Sequence, residues 1–291
     1  MQFWCGTAFL DTVDLPVIAQ LIDRAGFHGI VTSDHTLYPR QLSSPYPTGD
    51  GPPWPPEMAW PDSWVAIGAM AAVTERLRFS NAVYIAGTRP LIEVAKQVAT
   101  AAVLSRDRVS LAVGVGWMRE EFDLLGQNFD NRGPRTDEMI DALRVLWQGG
   151  WVSWHGEYYD IPEMMIEPHP VEPVPILCGG ESPVALRRAA RHCDGWVGTA
   201  YRWDDAVRIV EQVHGHRRRY GRDNEPFEIL LALLEPPSPQ LYRRAQDIGI
   251  SGVMCSPWSG QGTLPDNDDA RAEHYRTCID RFAQDVLAAS G

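Results

Sequence analysis

The chain has 291 residues, 44% of them hydrophobic and 22% charged, with a formal net charge of −12. These proportions are typical of a globular protein with a substantial core. The acidic balance argues against a nucleic-acid-binding protein, which would carry basic patches. No apolar run approaches the ~20 residues that span a bilayer, and residues 1–5 lack the basic start of a signal peptide. We therefore expect a cytoplasmic protein without membrane contacts.

Short apolar runs alternate with helical patterns along the chain, which indicates a parallel sheet. Eight strands are predicted, at 3–9, 29–32, 77–84, 109–115, 175–178, 195–199, 227–233 and 252–255. Helices are predicted at 15–25, 60–74, 91–105, 135–148, 184–192, 204–220, 239–248 and 268–289, the first of them capped by Asp14. Eight such units most simply close into an α/β fold of the (β/α)8 TIM-barrel type, a single domain over 1–291. An open doubly wound sheet is the alternative.

Two segments interrupt the alternation. Residues 38–61, after the second strand, contain eight prolines together with Trp54 and Trp60. We predict that this segment is an ordered lid over the barrel mouth rather than a flexible linker. Residues 152–166, before the fifth strand, place aromatic residues on both sides of His155-Gly156 and predict a hairpin. An extension that only packs on the barrel would explain the same residues.

The second predicted strand ends at Thr32 and is followed by Ser33, Asp34 and His35. Enzymes with parallel sheets place their chemistry at this end of a strand, and histidine exchanges protons near neutral pH. The pair therefore indicates a proton-transfer site. A loop aspartate that caps the next segment, beside a surface histidine, would produce the same dipeptide.

Two glycine-containing turns also follow predicted strands. Gly179 and Gly180 precede Ser182-Pro183, a good helix start, so the free N–H groups there predict a phosphate site, whereas a tight turn is the simpler alternative. Gly114 and Gly116 lack the third glycine of a dinucleotide fingerprint and instead would let a flat ring approach the backbone. A metal-dependent hydrolase remains conceivable from Asp34 and His35, but no further ligands assemble, and we expect no metal. Five dispersed cysteines without a Cys-x-x-Cys pair favour buried free thiols.

Six motifs, in this order, resemble the bacterial luciferase-like monooxygenase superfamily and most of all its coenzyme F420-dependent oxidoreductase branch. They are Ser33-Asp34-His35, Arg78 to Val83, Leu104 to Val109, Gly114 to Phe122, His155 to Tyr159 and Gly179 to Pro183. The ordered set, within about residues 26–198, is more specific than any single motif.

The resemblance implies a TIM barrel that holds a deazaflavin or flavin at its mouth, usually in a homodimer. It implies that Asp34 contacts the polar edge of the ring, that His35 is the proton donor or acceptor, and that Gly179 and Gly180 bind the phosphate. It further implies a cis peptide between Ala82 and Val83 that supports the ring. Two departures are Glu181, where relatives more often have a small polar residue, and Ala82, which replaces a frequent glycine.

The sequence thus predicts an F420-dependent enzyme that transfers a hydride between the deazaflavin and a small organic substrate, with His35 catalytic. The predicted cofactor-binding residues are Asp34, Ala82, Val83, Gly114, Gly116, Gly179 and Gly180. An FMN-dependent monooxygenase is the first alternative, because the same scaffold with reduced flavin activates oxygen. A non-catalytic F420 or flavin carrier is the second, although storage would not require the Asp34–His35 pair.

Overall fold

The computed structural model describes residues 1–47, 49, 51–261, 264–265 and 267–288. Its strands are β1 (Gln2–Gly6), β2 (Gly29–Thr32), β3 (Arg78–Asn81), β4 (Leu111–Val113), β5 (Val152–His155), β6 (Asp160–Met164), β7 (Ile176–Gly179), β8 (Gly195–Tyr201), β9 (Glu228–Leu233) and β10 (Gly252–Cys255). Its helices are α1 (Leu15–Ala25), α2 (Ser63–Ala72), α3 (Leu91–Ser105), α4 (Arg119–Leu124), α5 (Arg132–Leu146), α6 (Pro183–His192), α7 (Trp203–Arg219), α8 (Pro239–Asp247) and α9 (Asp268–Phe282).

Eight strands form one parallel sheet in the order β3-β2-β1-β10-β9-β8-β7-β4. The two end strands meet, because parallel bridges join Phe79 to Val109 and Tyr84 to Val113. The sheet therefore closes on itself with helices around it, which confirms the predicted (β/α)8 TIM barrel and excludes the open doubly wound sheet.

Side-chain alternation divides the buried residues into two layers. One set fills the inside of the barrel: Trp4, Val31, Ala112, Leu177, Val197 and Leu230. A larger set packs between the strands and the surrounding helices. Trp4 fills the amino-terminal end of the barrel so completely that a Cβ at Gly29 would lie 2.4 Å from its ring. The inside is a packed core, and an opening for a ligand has to lie above it.

The predicted helices agree with the structure within three residues at their starts, and α1 and α3 match at both ends. The last helix is the exception at its far end, since α9 stops at Phe282 and a π-helical turn over Ala283–Leu287 follows. Residue 289 of that prediction lies outside the described residues. The short helix α4 was not predicted. Asp14 does not cap α1 as expected; its carboxylate accepts hydrogen bonds from Arg271 of α9 at 2.9 and 3.1 Å, tying the last helix to the first.

Both predicted insertions are present. The described residues between 38 and 61 form neither helix nor strand, as the proline content requires. Strands β5 and β6 pair antiparallel and confirm the hairpin. Glu138 of α5 anchors it by accepting hydrogen bonds from the backbone N–H groups of residues 157, 158 and 159, each at 2.9 Å.

The five cysteines are free thiols, four of them buried. None of the helices in the described part of the chain is long and apolar enough to cross a membrane.

Candidate active site

The carboxyl ends of the barrel strands carry the predicted cis peptide between Ala82 and Val83, directly after β3. The Val83 side chain points over the barrel core. A Cβ at Gly114 would lie 2.3 Å from Val83 Cγ2, and one at Gly179 would lie 2.4 Å from Val83 Cγ1. These two glycines therefore make room for Val83. The predicted contacts of Gly114 with a cofactor ring and of Gly179 with its phosphate stay predictions.

Position 116 requires glycine for a different reason. Its φ is +79°, in the left-handed region, and a Cβ there would lie 2.6 Å from the Phe122 ring and 2.8 Å from Ile85 Cγ2. The residue allows the chain to turn from β4 into α4. Its contribution is therefore to the local backbone path, which presents the following Trp117 to the barrel mouth.

Asp34 is buried and bound within the protein. Arg89 donates two hydrogen bonds to its carboxylate, at 2.7 and 2.8 Å, and the Ile85 N–H donates a third at 2.9 Å. Burial alone lowers the pKa of Arg89, but the charge and hydrogen bonds of Asp34 outweigh it and leave the pKa raised. Asp34 thus fixes the segment that follows the cis peptide, and its predicted contact with the cofactor ring stays a prediction.

His35 has a partner that the sequence interpretation missed. Its Nδ1 lies 3.4 Å from Oε2 of Glu121 on α4, and the two side chains are only 9% and 2% exposed. Neither atom has a hydrogen-bond partner within the described residues. The other oxygen of Glu121 accepts from the Thr36 N–H at 2.5 Å, which fixes the carboxylate. The pair places a buried carboxylate directly behind the imidazole.

Five aromatic residues surround His35, and we call them the aromatic cluster: Phe9, Tyr46, Trp54, Trp60 and Trp117. The rings of Trp54 and Trp60 lie 5.2 Å from the His35 ring, and that of Trp117 lies at 5.9 Å. Tyr46 contacts Trp54 and Trp117, and Phe9 contacts Trp54 and Trp60. Since Tyr46, Trp54 and Trp60 belong to the proline-rich segment, this segment lies at the mouth, and its role as a lid stays a prediction.

Glu120 fixes the same segment to α4. It accepts hydrogen bonds from the N–H and hydroxyl groups of Ser43 and Ser44, at 2.6 to 3.0 Å. Burial alone would raise the pKa of Glu120, but these hydrogen bonds lower it to about 2. Two neighbouring carboxylates of α4 thus act at the mouth. Glu120 binds the proline-rich segment, and Glu121 lies behind the imidazole of His35.

The turn from β7 to α6 forms another part of the rim. Ser182 caps α6 by accepting from the Ala185 N–H at 3.2 Å, with Pro183 in the first turn, as predicted. Gly180 is exposed and has a φ of +105°. Glu181 accepts hydrogen bonds from the hydroxyls of Thr199 and Tyr201, both at 2.7 Å, which hold its carboxylate against β8.

The structure therefore brings Asp34, His35, Ala82 and Val83 to one end of the barrel, and Gly180 to its rim. Sequence reasoning missed Glu121, Arg89 and Phe9. Glu121 belongs to the motif Gly114 to Phe122, but adjacent glutamates on a helix give no sign of which one points inward.

A cavity of about 410 Å³ lies at the opposite, amino-terminal end of the barrel, lined in part by His28, Arg76 and Arg78. Catalytic sites of TIM barrels lie at the carboxyl ends of the strands. The mouth around His35 is accordingly the candidate active site.

Comparison with known proteins agrees with this architecture. A family model described as luciferase-like monooxygenase matches residues 12–234. An uncharacterized protein of Mycobacterium tuberculosis is 33% identical over 290 residues, 99% of both chains. The F420-dependent glucose-6-phosphate dehydrogenase of Amycolatopsis mediterranei is 30% identical over 192 residues, 64% of this chain and 53% of that protein.

A solved structure shares the fold over its full length. The F420-dependent secondary alcohol dehydrogenase in complex with an F420-acetone adduct has a TM-score of 0.75 and 16% identity, covering 100% of this chain and 99% of that one. Because the family model matches most of the chain, the chain belongs to the luciferase-like monooxygenase family, whose members are oxidoreductases and monooxygenases.

Proposed function

We propose that this protein is an F420-dependent oxidoreductase that transfers a hydride between the deazaflavin and a small organic substrate, with His35 exchanging the accompanying proton. The observation that carries the proposal is the buried His35–Glu121 pair beside the cis peptide of Ala82 and Val83. A buried imidazole with a carboxylate behind its Nδ1 is suited to proton transfer through Nε2. The similarity to an F420-dependent dehydrogenase supports the choice of cofactor.

We propose that the flat ring of the cofactor lies on the apolar floor of the mouth. Ala82, Val83 and Met254 are partly exposed and pack on the buried layer inside the barrel, so they offer an apolar floor. The exposed Gly180 and the start of α6 offer backbone N–H groups for a phosphate. In this arrangement Val83 would support the ring, and Gly180 and Ser182 would hold the phosphate. The deazaflavin, when bound, supplies the centre that accepts or donates the hydride.

The side chains of the chain itself perform the remaining steps. Glu121 faces Nδ1 of His35, so Nε2, on the opposite side of the ring, is the nitrogen available to a substrate. Asp34 and Arg89 hold the segment at Ile85 and thereby position the floor. The aromatic cluster excludes water from the mouth, which strengthens the electrostatic interactions there.

Two alternative functions are possible for the same site. The first is an FMN-dependent monooxygenase, whose activity, though not its cofactor, is named by the family model. A carrier that only stores F420 would have no use for a histidine backed by a buried carboxylate.

Titration of the purified protein with F420 and with FMN separately tests the cofactor, and we expect saturable binding of F420 alone. His35→Ala is expected to lower turnover by ~10²- to 10⁴-fold and to leave F420 affinity within about twofold, since the phosphate and ring contacts remain. His155→Ala, in the exposed hairpin, is the control and keeps full turnover. Full activity of His35→Ala would show that His35 only lines the pocket and does not exchange the proton.

We also propose that the protein is a homodimer. Helix α2 contains no charged residue, and α2 and its neighbour α3 expose the apolar side chains of Val65 at 74%, Ile92, Val103 and Leu104, with Val73 directly after α2. A helix that is apolar on all sides is normally covered.

A further inference from the structure

The cavity at the amino-terminal end of the barrel lies opposite the mouth and has no part in the proposed reaction. We infer that it is a second binding site, for a small organic anion whose phosphate or carboxylate head accepts hydrogen bonds from Arg78 and His28. The inference goes beyond the proposed function, because binding at this end of the barrel does not require F420. The size of the cavity, its unused hydrogen-bond donors and its charge support it.

The cavity lies below the packed inside of the barrel, where the first strands begin. Its lining includes Gln2 of β1, Asp23 and Gly26 at the end of α1, His28, and Arg76 and Arg78 around the start of β3. The volume is about 410 Å³. Because a water molecule in the liquid occupies about 30 Å³, an organic molecule of about a dozen non-hydrogen atoms fits there.

Arg78 and His28 present hydrogen-bond donors that the protein does not use. The backbone fixes both residues, since the His28 N–H donates to the Phe3 carbonyl at 2.9 Å and the Arg78 N–H donates to the His28 carbonyl at 3.0 Å. Neither side chain forms a hydrogen bond or an ion pair with another residue in the described part of the chain. Both side chains are half-buried, and their nitrogen atoms are not sealed within the protein. A guanidinium in this state is suited to bind an oxyanion.

Gln2 adds a donor on the neighbouring strand. Its amide oxygen accepts a hydrogen bond from Nε1 of Trp4 at 3.0 Å, which orients the amide group. The NH₂ group of the same amide has no acceptor among the described residues. An anion bound to Gln2, His28 and Arg78 would therefore connect the starts of β1, β2 and β3.

The charge of the cavity favours an anion. Asp23 contributes a carboxylate to the lining, but it accepts a hydrogen bond from the Glu75 N–H at 2.9 Å and lies 3.8 Å from Nε of Arg76. Arg76 thus balances Asp23, and Arg78 leaves the lining with a positive charge. The whole chain has a net charge of −12, so its field repels anions from most of the surface and a local positive site is selective.

Two charges outside the lining act on Arg78 in opposite directions. Glu228, the first residue of β9, is half-buried, and burial raises its pKa although Arg78 acts to lower it. Arg108 lies on the other side, and its guanidinium donates to backbone carbonyls and to the Thr74 hydroxyl rather than to a carboxylate. The positive charge of Arg108 is therefore not cancelled by an ion pair, and Glu228 offers a test of the charge.

Calorimetric titration of the full chain tests the site. Glycerol 3-phosphate and citrate are the phosphate and carboxylate ligands, and glycerol is the neutral control. We expect saturable binding of at least one anion and no binding of glycerol, and the anion that binds more tightly identifies the head group. In proton NMR, the Cε1–H resonance of His28, assigned with His28→Asn, should shift with the same dissociation constant. This resonance distinguishes the cavity from the phosphate site proposed at Gly180.

Variants test the charge. Arg78→Gln is expected to weaken anion binding by about 10-fold or more, because a charged hydrogen-bond donor is lost. Arg24→Gln removes the same charge from the exposed side of α1 and should change the dissociation constant by less than about twofold. Glu228→Gln removes the opposing charge and should tighten binding by about 2- to 5-fold, a gain that a misfolded variant would not produce.

Three results would each overturn the inference. The first is a native protein that binds neither glycerol 3-phosphate nor citrate. The second is a His28 resonance that does not move while an anion binds, which would place that anion elsewhere on the protein. The third is an affinity of Arg78→Gln equal to that of the Arg24→Gln control.

Discussion

Asp34 and His35 are adjacent in the sequence but are bound by different elements. Asp34 pairs with Arg89, which precedes α3, whereas His35 faces Glu121 of α4. The two neighbours therefore serve separate purposes. One fixes the backbone that follows the cis peptide, and the other presents an imidazole to the mouth. The adjacent pair suggested by the sequence is thus two independent pairs in the structure.

Glu121→Gln tests whether the charge behind His35 contributes to turnover. The amide keeps an oxygen for the Thr36 N–H, so a role limited to structure would survive. We expect kcat to fall by roughly 10-fold or more while KM and F420 affinity stay within about twofold, since the carboxylate no longer stabilises the proton on the imidazole. Asp123→Asn, exposed on the same helix, is the control. Unchanged kcat in Glu121→Gln would show that the carboxylate is only a packing residue.

Asp34→Ala leaves the Arg89 guanidinium buried without its carboxylate. Removal of one partner from a buried ion pair costs ~3–5 kcal/mol of unfolding free energy, and we expect a loss of that size in urea unfolding. Asp205→Ala, which breaks the exposed pair with Arg208, is expected to cost less than ~1 kcal/mol. Equal losses in the two variants would contradict the importance assigned to the Asp34–Arg89 pair.

At the scale of elements, the short helix α4 organises the mouth. It follows the turn at Gly116 and presents Glu120 to the proline-rich segment and Glu121 to His35. Because the pKa of Glu120 is lowered to about 2, this carboxylate remains charged at any pH near neutrality. The segment that carries Trp54 and Trp60 is therefore attached to the barrel by an interaction that does not titrate in the working range.

The turn between β7 and α6 allows a prediction about the cofactor phosphate. Glu181 places a carboxylate beside Gly180, where the phosphate is proposed to bind. Glu181→Gln keeps an acceptor for the hydroxyls of Thr199 and Tyr201 but removes the repulsion. We expect F420 to bind about 2- to 5-fold more tightly in fluorescence titrations at low salt, with a smaller gain at high salt.

Glu211→Gln makes the same charge change on the exposed side of α7 and should leave the affinity for F420 unchanged. If Glu181→Gln binds F420 no better than this control at low salt, the phosphate does not lie at the start of α6.

At the scale of the whole molecule, His28 links stability to pH. Burial, together with Arg78 and the amino terminus, lowers its pKa to about 4. The unfolded chain, with a histidine pKa of ~6.5, binds the proton more readily than the folded protein. The contribution of neutral His28 to the free energy of unfolding is therefore complete above pH ~6.5 and is lost as the pH falls towards 4. We expect His28→Asn to lose less unfolding free energy than the native protein between pH 7 and pH 5. Equal losses would contradict this assignment.

The proposed homodimer makes a separate prediction. Val65→Asp places a charge on the exposed apolar face of α2, where a subunit contact would have to bury it. We expect light scattering after size exclusion to report a monomer for this variant and a dimer for the native protein. Val171→Asp, equally exposed but distant in sequence, should remain dimeric. A native monomer would refute the proposal.

The sequence alone determined the barrel and most of its helices, because apolar periodicity and turn residues are local signals. Helices α1 and α3 match at both ends, since Gly26 and the apolar spacing define them within a few residues. The resemblance located the cis peptide, and the proline content located the segment at 38–61. Short α4 was missed because two polar turns produce no periodic pattern.

Only the tertiary structure decided which residues meet. Glu121 lies 86 residues from His35 and Arg89 lies 55 residues from Asp34 in the chain, and no local pattern reports a contact across such distances. The same holds for Val83, whose packing explains the glycines at 114 and 179. A glycine in a sequence indicates that the neighbouring space is needed. Only the closed barrel shows whether a neighbouring side chain occupies that space.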